Sequence, residues 1–211
     1  MNKSILWLIS LLFVASLSIV SCSESDGKED PYANWEERNQ RYIDSIATVA
    51  EANQGNEVGQ WKIIRSYKLP PLGLNETGKV NDNVYCKIVK IGDGTTSPIA
   101  TDTVAVNYRG QFINGTVFDQ SYQGELDPET ATPKTFVAGG VIAGWSTALM
   151  KGYGGMKVGD QWELYIPYQL GYGKDGYSDI PGYSTLIFNV NLVGISPLKG
   201  TERSVDDVLV A

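Results

Sequence analysis

Trp145 closes the run Val141-Ile142-Ala143-Gly144-Trp145, and Ala148 and Leu149 follow it. Ile142, Trp145 and Leu149 are spaced i, i+3, i+7, so they share one face of a short helix. An indole in that place is either a core plug or the floor of an apolar pocket. The chemistry open to such a pocket is narrow. The chain contains no His, which removes imidazole general bases, Ser-His and Cys-His pairs and every His-containing metal site. Its only cysteines are Cys22 and Cys86, too few for a disulfide framework or a four-Cys zinc site. The glycine run Lys151-Gly152-Tyr153-Gly154-Gly155 lacks the Lys-Ser/Thr pair that ends a phosphate loop. No cofactor and no metal are expected.

The elements that must position Trp145 can be read from the pattern. Of 211 residues, 42% are apolar and 19% charged, enough for a packed core in one domain with extensions or in two small ones. A net charge of −7 argues against a nucleic-acid partner, which would want a basic stripe. From Val84 to Ile195 strand signals dominate. In TVAVNYRG (103–110), Val104, Val106 and Tyr108 alternate with Thr103, Ala105, Asn107 and Arg109. Asn114-Gly115 marks a hairpin turn. QWELYIP (161–167) and TLIFNVNLVG (185–194) alternate again. Several strands and one short inserted helix predict an α+β domain, an antiparallel sheet packed on a helix. Cys86 reads as a core thiol in the first of these strands.

Ahead of this domain the chain divides into pieces. Residues 1–21 read as a signal segment, with Lys3 before an apolar run too short for a membrane span. The ending Ile19-Val20-Ser21-Cys22 resembles the lipobox of bacterial lipoproteins. That resemblance implies a mature chain beginning at Cys22, attached to the membrane through an N-terminal lipid. Residues 22–33 form an acidic tether, and its acids resemble a surface-export signal of some Gram-negative lipoproteins. Residues 34–83 are a helical extension. Its helix, 34–53, is N-capped by Asn34 and carries Trp35, Tyr42 and Val49 at intervals of seven, with Ile43, Ile46 and Ala50 on the same side. Either that face packs on its own domain, or it makes a homodimer or a client contact. WKIIRSYKL within this extension is a strand or a docked extended segment. Residues 196–211 form a tail.

Six motifs then stand in order: VNYRG (106–110), NGTVFDQS (114–121), VIAGW (141–145), MKVGD (156–160), IPYQLGYG (166–173) and IPGYSTLIFNVNL (180–192). The series resembles the FKBP-type peptidyl-prolyl cis-trans isomerases over residues 84–195, and most closely their bacterial periplasmic and outer-membrane members, which also carry an N-terminal helical extension. The resemblance implies an FKBP-like bent antiparallel sheet wrapped on a short helix, with Trp145 flooring an aromatic pocket for a proline ring. By the same resemblance, Asp119, Tyr172, Trp145 and Phe118 are the catalytic set. Tyr108, Phe136, Val141, Ile142, Ile180 and Phe188 bind the substrate. The implied partners are X-Pro segments of client proteins and the macrolide inhibitors of the family. The implied location is the outer membrane, facing the periplasm or the cell surface.

The chain departs from the family's pattern in four places. The loop from Gln120 to Thr135 is long. Lys134 stands where many relatives have a second aromatic. Lys151–Gly155 is inserted after the helix. Tyr177, Gly182 and Tyr183 replace commoner residues near the flap. Two readings of function share this fold. One is a prolyl isomerase that assists folding of envelope or surface proteins. The other is a non-catalytic FKBP-like chaperone or scaffold that binds proline-containing segments. A glycan-binding surface would need exposed, coplanar aromatics, whereas most of the aromatics here fall at inward strand positions.

Overall fold

The computed structural model describes residues 30–128 and 130–198. The expected signal segment, the expected lipidation site at Cys22, most of the expected tether and the residues beyond 198 lie outside the described residues. Helix α1 spans Trp35–Ala52 and helix α2 spans Ala143–Leu149. The strands are β1 (Trp61–Arg65), β2 (Asn83–Lys90), β3 (Thr103–Gln111), β4 (Val117–Gln120), β5 (Lys134–Val137), β6 (Gln161–Ile166) and β7 (Leu186–Ser196). They form one sheet in the order β1-β2-β6-β7-β3-β4, with β5 also on β3. Every pairing is antiparallel.

The outer neighbour of β3 is split in two. β5 pairs with its first half, Thr103–Val106, and β4 with its second, Arg109–Gln111. Between them the sheet edge is closed by one residue. Ser121 Oγ accepts from the Tyr108 N–H (2.9 Å), and the Ser121 N–H donates to the Tyr108 carbonyl (2.8 Å).

The β1-β2-β6 end of the sheet is covered on both faces, and burial in β2 shows it. Val84, Tyr85 and Cys86 are consecutive and all buried, which a sheet with one wet face would not give. Tyr85 joins Trp61, Ile43, Ala47 and Ala50 in a cluster under α1. Cys86 has no exposure, and burial raises its thiol pKa, so it is an inert core residue. The sheet thus runs across Val84, since β1 precedes it, and the described residues from Asn34 onward form one compact unit.

Helix α1 differs from its expected form in two ways. Asn34 does not cap it through its side chain. It takes a left-handed backbone (φ 50°), and only its carbonyl enters the helix. The seven-residue repeat is not the buried stripe either, because Val49 at its end is half exposed. The buried line is Trp35, Asn39, Ile43, Ala47 and Ala50, three to four residues apart, which follows the 3.6-residue turn. Asn39 makes this docking specific. Its Nδ2 donates to the Trp35 carbonyl (2.7 Å), and its Oδ1 accepts from the Thr185 N–H (2.7 Å). Trp35 Nε1 donates to Ser184 Oγ (2.9 Å). The buried face of α1 is therefore packed on the helix's own domain.

Helix α2 is buried on all sides. Gly144 allows it to approach the sheet, since a Cβ there would stand 2.4 Å from the Ile166 side chain. Ile142 precedes the helix in extended backbone (φ −56°, ψ 149°).

Candidate active site

Burial alternates along β6, and Trp162, Leu164 and Ile166 all point toward α2. The same pleat row continues from Leu164 through Phe188 on β7 to Gly110 on β3. A Cβ on Gly110 would lie 2.6 Å from the Phe188 ring and 2.7 Å from the Phe118 ring. The glycine leaves the space in which those two rings meet edge to face, 5.4 Å apart. From the other side, the first turn of α2 sets the Trp145 indole against three rings. Phe188 lies at 5.1 Å, Tyr108 at 5.3 Å and Phe136 at 5.8 Å, each edge-on. Such edge-to-face geometry suits the ring quadrupoles.

These rings surround a cavity of about 690 Å³. All ten residues singled out from the sequence line it: Tyr108, Phe118, Asp119, Phe136, Val141, Ile142, Trp145, Tyr172, Ile180 and Phe188. Gly140, Tyr177, Ser178 and Asp179 complete the lining. Ile180 and Tyr177 close a tight turn through two backbone bonds of 2.9 and 3.0 Å. Tyr177, although two-thirds exposed, stacks on Tyr172 with centroids 5.3 Å apart and planes 13° from parallel. Burial, and then the negative charge of Asp119, raise the Tyr172 hydroxyl pKa, so it stays a proton donor. Among the described residues neither this hydroxyl nor the Ile142 N–H has a hydrogen-bond partner.

One polar cluster stands at the cavity edge. The Tyr108 hydroxyl donates to Asp119 Oδ2. Lys134 Nζ donates to the Tyr108 hydroxyl oxygen (3.0 Å) and to Asp119 Oδ1 (3.1 Å), and it sits 5.1 Å from the Tyr108 ring centre. This arrangement was not read from the sequence, yet a signal was present. Lys134 and Phe136 are two apart on β5, opposite Val106 and Val104, so both face the same way as Tyr108. The Tyr177 stack had no comparable signal, because it depends on the turn that ends at Ile180.

Comparison with known proteins agrees with this geometry. A family model described as FKBP-type peptidyl-prolyl cis-trans isomerase matches residues 94–193. The peptidyl-prolyl cis-trans isomerase Mip of Coxiella burnetii is 44% identical over 110 residues, 52% of this chain and 43% of that protein. The FKBP-type 22 kDa peptidyl-prolyl cis-trans isomerase of Escherichia coli is 41% identical over 125 residues, 58% of this chain and 53% of that one. The chain thus spans about half the length of these two relatives. It spans nearly all of another: the macrophage infectivity potentiator of Trypanosoma cruzi is 32% identical over 211 residues, 99% of this chain and 91% of that protein. A crystal structure of a peptidyl-prolyl cis-trans isomerase from Pseudomonas syringae superposes with a TM-score of 0.52 and 25% identity, over 81% of this chain and 99% of that one. A domain-length family match and a relative aligned almost end to end lead to one conclusion: this chain belongs to the FKBP-type peptidyl-prolyl cis-trans isomerase family.

Proposed function

We propose that this chain is a peptidyl-prolyl cis-trans isomerase and that the Trp145 cavity is where it acts. One observation carries the reading. The cavity combines apolar ring walls with two donors, the Tyr172 hydroxyl and the Ile142 N–H, that have no partner among the described residues. Turning an X-Pro bond makes and breaks no covalent bond. Its barrier of about 18–20 kcal/mol comes from lost amide resonance. At the twisted state the carbonyl carries less charge and the nitrogen is pyramidal. A dry aromatic cavity suits that state better than the planar, more polar ground state, and this difference is what accelerates the reaction.

Each residue then has a task. The proline ring lies on Trp145, between Tyr108, Phe118, Phe136 and Phe188. Val141 and Ile180 close the rim. The Tyr172 hydroxyl and the Ile142 N–H hold flanking carbonyls. Asp119 orients the twisted amide, itself steadied by the Tyr108 hydroxyl. The substrates are X-Pro segments of folding proteins, whose uncatalysed isomerisation takes tens to hundreds of seconds. Macrolides of the family's inhibitor class compete for the same cavity. The N-terminal sequence supports a lipoprotein attached through Cys22 at the outer membrane, acting on envelope or surface proteins. A mass spectrum of the purified protein tests this, and an unmodified Cys22 overturns it.

The contact between Lys134 and Asp119 favours a second reading, since a carboxylate engaged by an ammonium is less available to substrate. That reading is a non-catalytic chaperone or scaffold. A tetrapeptide isomerisation assay on the full chain in detergent separates the two. Turnover blocked by a macrolide, and lowered in Asp119→Ala and Trp145→Ala proteins that remain folded, supports the isomerase. Macrolide binding without turnover supports the scaffold.

A further inference from the structure

The ridge Val141-Ile142 has a cavity on each side. One is the Trp145 cavity. The other, about 830 Å³, lies between the N-terminal extension and the start of α2, and Val141 and Ile142 line both. It is lined by Ser66, Lys68, Leu69 and Lys79–Asp82 of the extension, by Gln40 and Asp44 of α1, and by Ala143 with Gln169–Gly171.

This second groove is held open by bonds within the protein. The Tyr67 N–H donates to Thr147 Oγ1 of α2 (3.3 Å), which ties the extension to the helix. Arg65 Nη1 pairs with Asp82 Oδ2 (2.8 Å) and its Nε donates to the Pro70 carbonyl (3.0 Å). Gln40 and Asn81 exchange amide hydrogen bonds of 2.8 and 3.4 Å between α1 and the Val80–Asp82 turn. A groove fixed this way needs little reordering to bind a ligand.

Its surface has the chemistry of a polypeptide site. Leu69, Val80 and Leu170 provide apolar contact beside polar groups with open hydrogen-bonding capacity. The Gln169 side-chain amide has no partner among the described residues. Among the described residues the Lys68 ammonium meets only the face of Tyr67, 5.9 Å away. The Ile142 N–H on the ridge serves the Trp145 cavity. Amide and ammonium groups beside small apolar patches match the alternating carbonyls and side chains of an extended chain.

We propose that this groove binds the client polypeptide next to the proline, so that a chain seated in the Trp145 cavity crosses Val141-Ile142 and continues along the N-terminal extension. The proposal rests on the Trp145 cavity being the proline site. The extension is then part of the substrate surface, and the protein distinguishes long unfolded clients from minimal X-Pro peptides.

The test compares an X-Pro tetrapeptide with a ten-residue peptide carrying one central proline, using the full chain in detergent. The long peptide is expected to have a kcat/KM about tenfold higher, the gain from two or three added hydrogen bonds. Gln169 and Lys68 are exposed, so Gln169→Trp and Lys68→Glu alter the groove without entering the core. Both variants are expected to keep tetrapeptide turnover and to lose most of the long-peptide advantage. Anisotropy of the dye-labelled long peptide reports groove binding independently of turnover, and Gln169→Trp is expected to weaken it by a similar factor. Equal kcat/KM for the two peptides overturns the proposal, and so does an advantage that survives both variants. Absent tetrapeptide turnover with long-peptide binding that Gln169→Trp weakens overturns the isomerase reading and upholds the groove.

Discussion

The ammonium of Lys134 stands 3.1 Å from Oδ1 of Asp119. The pair is about half exposed on both sides, 47% and 52%, so it adds at most about 1 kcal/mol to stability. Its effect falls on the site. Replacing Lys134 by Met releases the carboxylate and extends the apolar wall. Lys134→Met is expected to raise tetrapeptide kcat/KM about two- to fivefold and to leave the urea midpoint almost unchanged. Stopped-flow isomerisation and equilibrium unfolding check the two halves.

The same cluster sets the response to pH. The Tyr108 hydrogen bond, aided by Asp119, raises the pKa of Lys134 above the ordinary 10.5. Burial, and then Asp119, raise that of Tyr108 above 10.0. A group whose value is raised on folding contributes stability that is fully present below its unfolded value and is lost as pH climbs through the folded one. Without His, no imidazole titrates near neutrality. Turnover and stability should therefore stay level between about pH 6 and 9, and stability should fall above about pH 10. A pH–rate profile paired with thermal melts measures both.

Trp145 contacts three rings at once, and its removal leaves a void they cannot fill. Trp145→Ala is expected to cost about 3–5 kcal/mol and to lower turnover by at least about tenfold. Circular dichroism and urea melts measure the first effect, and the tetrapeptide assay on the folded fraction measures the second.

Gly110 is a steric requirement of the rings above it. Gly110→Ala places a methyl 2.6 Å from the Phe188 ring, at an expected cost of about 1–3 kcal/mol. The displaced Phe118 and Phe188 should also weaken macrolide binding. Calorimetric titration detects that loss, and unchanged affinity would show that the two rings do not form the ligand's wall.

Tyr177 should divide affinity from stability. It is largely exposed, so Tyr177→Ala should lower the melting temperature by only a few degrees. Losing its stack on Tyr172, about 0.5–1.5 kcal/mol, should raise KM about two- to tenfold with kcat nearly constant. Steady-state kinetics over a range of peptide concentrations separates the two constants.

How far the fold was legible depended on what each residue's neighbours had to be. Strand β6 was readable because one of its faces is fully buried and the other only in part. The residues around the Trp145 cavity were readable because their order and spacing resemble a family, and the structure brings all ten together. The face of α1 was legible in part: Trp35, Ile43 and Ala50 are buried as expected, while Val49 fits a seven-residue repeat but is exposed, and the buried polar Asn39 did not look like a contact residue. Asn39 is buried because the Thr185 N–H needs an acceptor there, a demand that arises 146 residues away. The Lys134–Asp119 contact spans 15 residues and two strands. The second groove is formed by segments that no local pattern connects.

The single serine that closes the edge of β3 has a further consequence. Unfolded chains readily add as extra strands wherever a sheet shows free ladder groups. By taking both the N–H and the C=O of Tyr108, Ser121 removes that option beside the cavity. A chain arriving at this gap between β4 and β5 meets the cavity rings and no free ladder group of Tyr108, so strand addition to β3 at that point gives way to recognition by the cavity itself.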